Sequence, residues 1–259
     1  MSTLHYQCYN ANPQAPWIAL IHGLFGDADN LSAMRRCLEQ EFNVVAIDLP
    51  DHGRSTWTEG FSFEHYADLI IALLNDLHIP EVNLVGHSLG GKVAMQIALQ
   101  RPVLVKRLVV LDMAPVSYQP RHDQVLAGLT AVNLATLTSR SAADAIMAAF
   151  IEDIGTRQFL LKSLEKSADG WRWRFNLALL QRDYLRLSAA ISSEHPYSGP
   201  TLFIKGELSD YVNSDDKDYI QSLFSNAALK VVANTGHWLH AQKPAVCAKL
   251  IESFINQSA

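Results

Sequence analysis

The five residues Gly86-His87-Ser88-Leu89-Gly90 follow an apolar run, Val82-Asn83-Leu84-Val85, and precede a helical pattern that begins near Gly91. A serine in a G-x-S-x-G setting sits at a strained turn from strand to helix. The glycines let neighbouring chains come close, and the helix N-terminus offers the Leu89 N–H to a developing oxyanion. That arrangement suits nucleophilic catalysis, but a serine hydroxyl needs a base. Of the ten histidines, His237 in Asn234-Thr-Gly-His-Trp238 is the candidate, because it lies just after the last predicted strand. His22 and His52 belong to glycine turns and His87 is part of the elbow itself, while His5, His65, His78, His122, His195 and His240 have no comparable context. Two aspartates compete to orient the imidazole: Asp112, at the end of Leu108-Val-Val-Leu111, and Asp210, in Gly206-Glu-Leu-Ser-Asp-Tyr-Val212. Both follow a strand, and either gives the order serine, acid, histidine.

These residues need a frame that brings distant loops together. Apolar, β-branched runs predict strands at 17–22, 43–49, 82–86, 106–111, 200–205 and 229–232, with a weaker, antiparallel edge strand over 4–9. The runs are apolar throughout, as expected for a parallel sheet covered by helices on both faces. Helices are predicted at 29–40, 62–78, 89–101, 214–224 and 244–256, with Ser62 and Ser214 placed to cap and Pro244 in a first turn. The stretch 112–199 is too long for a loop. Its Ala/Leu-rich pattern predicts helices at 124–137, 142–154, 158–164 and 177–190. The expected organisation is therefore an α/β core of residues 1–115 and 199–259 with a helical cap inserted over 116–198, its site at the carboxyl ends of the strands. In the cap, Gly170-Trp-Arg-Trp-Arg-Phe-Asn176 is expected to pack Trp171, Trp173 and Phe175 while Arg172 and Arg174 face solvent.

Composition narrows the function further. The 259 residues are 49% hydrophobic and 18% charged, with a formal charge of −5 and no run of like charge, which disfavours nucleic acid as a partner. The three cysteines, Cys8, Cys37 and Cys247, are scattered, so neither a disulfide framework nor a zinc ribbon is expected. His237 and His240 lack an H-E-x-x-H frame, and no dinucleotide or kinase-type phosphate loop is present, so no metal or cofactor is called for. The first ten residues lack the pattern of a signal peptide, and the longest clean apolar run, 69–74, is too short for membrane insertion; a cytoplasmic location is expected.

Four segments, in order, carry a resemblance over nearly the whole chain: His22-Gly-Leu-Phe-Gly26, Asp48-Leu-Pro-Asp-His-Gly-Arg-Ser55, the elbow, and Gly236-His237. Together they resemble the α/β-hydrolase fold. In most of that family the acid follows the strand after the cap, three residues past a glycine; counted from Gly206, that position is Ser209. Leu111-Asp-Met-Ala-Pro-Val116, Arg121-His-Asp123, Gln158-Phe-Leu-Leu-Lys-Ser163 and Trp173-Arg-Phe-Asn176 are similar instead to a branch of small bacterial esterases related to mitochondrial ABHD-type hydrolases, in which the acid follows the strand before the cap. The resemblance thus implies Ser88 as nucleophile, His237 as base, Asp112 as acid with Asp210 the alternative, and Leu24 as the second oxyanion donor beside Leu89. Two such donors are worth several kcal/mol, since losing one typically costs about 10² to 10³ in rate. Phe25, His87, Met113 and Trp238 flank these positions and are candidates to line an acyl pocket, whereas 48–55 resembles a structural turn. The implied activity is cofactor-free hydrolysis of a small acyl ester or thioester, with acyl-CoA included, by a monomer or homodimer. The same triad also supports C–C bond hydrolysis, lactone opening or a perhydrolase activity, and the fold alone allows a non-catalytic binding module.

Overall fold

The computed structural model describes residues 3–257. Seven strands form one sheet: β1 (Tyr6–Tyr9), β2 (Trp17–Ile21), β3 (Asn43–Ile47), β4 (Val82–His87), β5 (Val105–Leu111), β8 (Thr201–Gly206) and β9 (Ala227–Val232), in the spatial order β1-β3-β2-β4-β5-β8-β9. Only β1 runs antiparallel, against β3. Alternate residues of the central strands feed two separate cores. Ala19, Ile21, Val45, Leu84, Leu108 and Val110 pack on one face under α2 (Phe63–Asp76) and α3 (Leu89–Gln100). Ile18, Leu20, Val44, Val85, Val109 and Leu111 pack on the other, with α1 (Ser32–Leu38) and α11 (Pro244–Ile255). Burial on both faces is why the strands read as unbroken apolar runs. Ser62 caps α2 by accepting from the His65 amide, and Pro244 occupies the first turn of α11.

Strand order reverses at β2, which has β3 on one side and β4 on the other, so the loops after β2 and β4 open onto one crevice. The β4 to β5 register pairs His87 with Leu111. The residues that follow, Ser88 and Asp112, therefore leave adjacent strand ends side by side.

Between β5 and β8 the chain leaves the sheet and forms α4 (Asp123–Ala131), α5 (Arg140–Met147), α6 (Ile154–Leu161), β6 (Leu164–Ser167), β7 (Gly170–Trp173), α7 (Leu177–Arg182) and α8 (Tyr184–Ser188). Two expectations are corrected here. The segment is not wholly helical, because β6 and β7 pair as an antiparallel hairpin around a turn where Gly170 adopts φ 115°. The alternation of Trp171, Trp173 and Phe175 is thus a strand period. The predicted 177–190 helix also breaks at Asp183, whose carboxylate turns away to accept from the Phe61 amide (3.0 Å) and from Arg182 (2.8 Å). Elsewhere in the insertion Asn133 ends α4 by accepting from the Ala135 amide, and Ser139 and Asp153 start α5 and α6 as caps. In the core, α9 (Lys217–Leu223) falls within the 214–224 prediction after a 3₁₀ turn over Ser214–Asp216 that Asn213 caps in place of the expected Ser214, and α10 (Leu239–Gln242) is a short helix the sequence pattern did not suggest.

Candidate active site

The elbow forces Ser88 to φ 53°, in the left-handed region, which needs close packing around it to persist. That closeness is what the two glycines allow. A Cβ on Gly86 would lie 2.2 Å from the Gly90 carbonyl oxygen, and one on Gly90 would lie 2.3 Å from that of Ile21. Ser88 is half-buried and lines a cleft together with Leu24, Leu89, Met113, Tyr211 and Leu187. Among the described residues neither the Leu24 nor the Leu89 amide has an acceptor within the protein. Unpaired backbone donors at the wall of a cleft are costly unless something there uses them. The loop bearing Leu24 is held by His22, which donates from Nδ1 to the Gly23 carbonyl (2.8 Å) and accepts at Nε2 from the Leu49 amide (2.9 Å). Burial lowers the His22 pKa and favours its neutral form, and these two partners fix the tautomer.

Asp112 is fully buried, also at positive φ (51°). Its Oδ1 accepts from the Gly206 amide at 2.9 Å, and its Oδ2 accepts from His237 Nδ1 at 2.7 Å and from the Ser209 hydroxyl. A carboxylate only accepts, so His237 carries its proton on Nδ1 and leaves Nε2 with a free lone pair. The imidazole stacks on the Tyr211 ring, centroids 4.0 Å apart. Asp210, by contrast, is exposed and pairs with Arg121 at 2.6 Å. The structure therefore joins His237 to Asp112, and Ser209, the position that the resemblance to most of the family pointed to for an acid, supports that same carboxylate.

The pocket expectations divide. Met113 lines the cleft. His87 does not: it is buried behind the elbow, donates from Nε2 to the His237 carbonyl (2.9 Å) and rests against the His240 ring. Burial, with His240 and His237 alongside, holds its pKa far below the usual histidine value, so it is a neutral clamp on the histidine loop. Phe25 is buried against Phe175, its ring centroid 5.0 Å away, and Trp238 packs on Phe159; both serve as packing groups between core and insertion. Arg174 is likewise not turned to solvent, since it pairs with Asp27 at 2.6 Å, whereas Arg172 is exposed beside Glu165 as expected.

Three groups escaped the sequence reading. Tyr118 donates to the Tyr211 carbonyl (2.6 Å), bracing the ring under His237. Tyr184 takes the His122 Nδ1 contact at 2.6 Å on the far wall of the cleft. Lys92, four residues after Ser88, is 1% exposed and donates to the carbonyls of Val116 (2.8 Å), Ser188 (3.3 Å) and Ala189. Burial pushes its ammonium down to about 7, against the opposite pull of three facing carbonyl dipoles. One signal existed: Lys92 is the single charged residue of α3, set among apolar and amide side chains.

The fold and this constellation define an α/β hydrolase. The family profile described as the alpha/beta hydrolase fold matches residues 16–244, and the chain belongs to that family. It is 34% identical to esterase YbfF of Escherichia coli over 92% of each chain. It is also 34% identical to the sn-1-specific diacylglycerol lipase ABHD11 of Mus musculus, over 97% of this chain and 85% of that protein. Among solved structures, a marine microorganism esterase superposes with a TM-score of 0.94 at 30% identity, covering 98% of this chain and all of the other. The protein is thus an enzyme of the esterase/lipase kind within this family, related to ABHD-type hydrolases. Among the described residues no helix is long and apolar enough to cross a membrane.

Proposed function

We propose that the protein hydrolyses carboxylic esters or acyl thioesters of short to medium acyl chains through an acyl-enzyme on Ser88. Ser88 Oγ attacks the carbonyl carbon while His237 Nε2 takes the hydroxyl proton, and the oxyanion rests on the Leu24 and Leu89 N–H groups. As the tetrahedral species collapses, the bond to the leaving oxygen or sulfur breaks and His237 returns the proton to it. Water then attacks the acyl-enzyme with His237 again as base, releasing the acid and restoring Ser88. Asp112 holds the imidazole in the required tautomer and stabilises its charged form. Residues 116–198 act as a cap over the cleft.

The observation that carries this reading is the buried Asp112 carboxylate bonded to His237 Nδ1, on the strand end adjacent to Ser88. The unpaired Leu24 and Leu89 amides and the esterase relatives support it. A fluorophosphonate probe read by intact mass tests it. One adduct is expected on the wild type and none on Ser88→Ala; an unlabelled, folded wild type, or a label that survives in Ser88→Ala, would remove Ser88 as the nucleophile.

A further inference from the structure

The cleft at Ser88 has a free volume of about 40 Å³. A water needs about 10 to 15 Å³ on that measure, so the space admits a few waters and not an extended acyl chain. A longer acyl chain either runs out through the mouth of the cleft or displaces its wall. The later part of the insertion is tied to the core by buried polar bonds: Asn176 Nδ2 donates to Asp51 (2.8 Å), the Asn176 amide to the Asp51 carbonyl (2.9 Å), the Phe61 amide to Asp183 (3.0 Å) and Ser163 to the Phe25 carbonyl (3.0 Å). These ties all lie between residues 163 and 183.

The insertion's share of the cleft wall comes from what lies outside them, the outgoing segment 116–122 and the returning α8 segment 184–191. Those two segments bond to each other. The Tyr118 amide donates to the Ser188 carbonyl (2.9 Å), the Ile191 amide to the Pro115 carbonyl (2.7 Å) and the Ala190 amide to Ser117 Oγ (2.9 Å). Beneath this neck the Lys92 ammonium has three donors and meets three carbonyls, one on the outgoing segment and two on the returning one. Its backbone is one helical turn from Ser88, and its amide donates to the Ser88 carbonyl (3.1 Å).

We propose that Lys92 is the latch that holds both crossings of the cap neck against the nucleophile helix and so sets the size of acyl group the cleft admits. The proposal rests on the assignment of Ser88 as nucleophile. Lys92 is a positioning residue in this role: with its three protons engaged, it touches no reacting atom.

Lys92→Met keeps the length and packing of the side chain and removes all three donors. The experiment compares kcat/KM for p-nitrophenyl acetate and p-nitrophenyl decanoate in wild type and variant, with amide hydrogen exchange on both proteins. The decanoate-to-acetate ratio is expected to rise about tenfold or more, through a lower KM for decanoate, the scale set by losing charge-assisted hydrogen bonds. The amides of Tyr118, Ala190 and Ile191 should lose protection while those of Phe61 and Asn176 keep theirs. Ser117→Ala, which removes a single neck bond, should move the ratio the same way by less, and it decides the matter should Lys92→Met fail to fold. An unchanged ratio in a folded Lys92→Met, or protection lost equally at Phe61 and Asn176, overturns the latch. If Ser88 takes no phosphonate and neither ester turns over, the hydrolase reading fails, while the exchange pattern still tells whether Lys92 holds the neck.

Discussion

Asp112→Asn should abolish most turnover without loosening the fold, and the structure says which way the new amide must sit. The Gly206 N–H is a backbone donor fixed on β8, 2.9 Å from Oδ1, so the asparagine carbonyl has to stay there. Its NH₂ group then occupies the place of Oδ2, which now accepts from His237 and Ser209. The Ser209 hydroxyl can rotate to accept, so no group is left unpaired. The imidazole has no such freedom: facing a donor, its Nδ1 must accept, its proton moves to Nε2, and the lone pair that would take the Ser88 proton is gone. A wrong tautomer of this kind lowers kcat about 10⁴-fold, or roughly 5.5 kcal/mol of barrier. Asp210→Asn provides the contrast. It breaks an exposed pair with Arg121, worth about 0 to 1 kcal/mol, and should leave kcat within about twofold. The assay is p-nitrophenyl acetate turnover, with Ser88→Ala as the floor and thermal melts as the fold control. Asp112→Asn retaining more than about a tenth of wild-type kcat, or Asp210→Asn falling as far, would refute the assignment of the acid.

Two further outcomes are expected. His52, His122 and His240 are held neutral by burial, with pKa values lowered to about 3, about 4 and about 3. The unfolded chain takes up these protons from pH 6.5 downward and the folded one does not, so their stabilisation is complete above pH 6.5 and is lost as pH falls toward 4. At pH 5.5 that amounts to about 1.4 kcal/mol per histidine, roughly 4 kcal/mol in all, out of a typical total of about 5 to 15; a urea-unfolding free energy unchanged between pH 7.5 and 5.5 would contradict it. Second, Ser209→Asp should restore kcat to Asp112→Asn by at least about tenfold, because the Ser209 hydroxyl already reaches the oxygen that His237 contacts. A folded double variant no more active than Asp112→Asn would show that the loop after β8 cannot supply the acid.

The elbow was legible because its glycines answer a steric demand, the near-contact of Gly86 with Gly90 and of Gly90 with Ile21, that no other residue meets. The strands were legible for a similar reason, since burial on both faces leaves little room for polar residues. The proposed acid was not legible from residue types alone. Asp112 and Asp210 both follow a strand, and what separates them is the β5 to β8 pairing that sets Asp112 beside Gly206 and turns Asp210 outward to Arg121. The β6 to β7 hairpin was hidden by its length, four residues a side, within an Ala/Leu-rich stretch. His87 was misjudged because proximity in sequence to Ser88 says nothing about which side of the elbow a ring takes; its partner, the His237 carbonyl, lies 150 residues away.

The division of labour in this fold follows from what holds each part. Ser88 and Asp112 leave neighbouring strands whose register is fixed by six residue pairs, and the histidine loop is clamped by His87 and braced by Tyr211, so the proposed chemistry sits on backbone that cannot shift without disturbing the sheet. The wall facing it hangs on two chain crossings, held by their mutual hydrogen bonds, one buried lysine and a few side-chain ties to the core, Tyr118 to the Tyr211 carbonyl, Arg121 to Asp210 and Tyr219 to the Ile191 carbonyl. Local opening draws on the least-tied part of a structure, here the neck and α8 and not the hairpin anchored through Asp51 and Asp27. Substitutions at the strand ends should therefore lower kcat alike for every ester, while substitutions at the neck redistribute activity among acyl lengths and leave the proposed triad geometry intact.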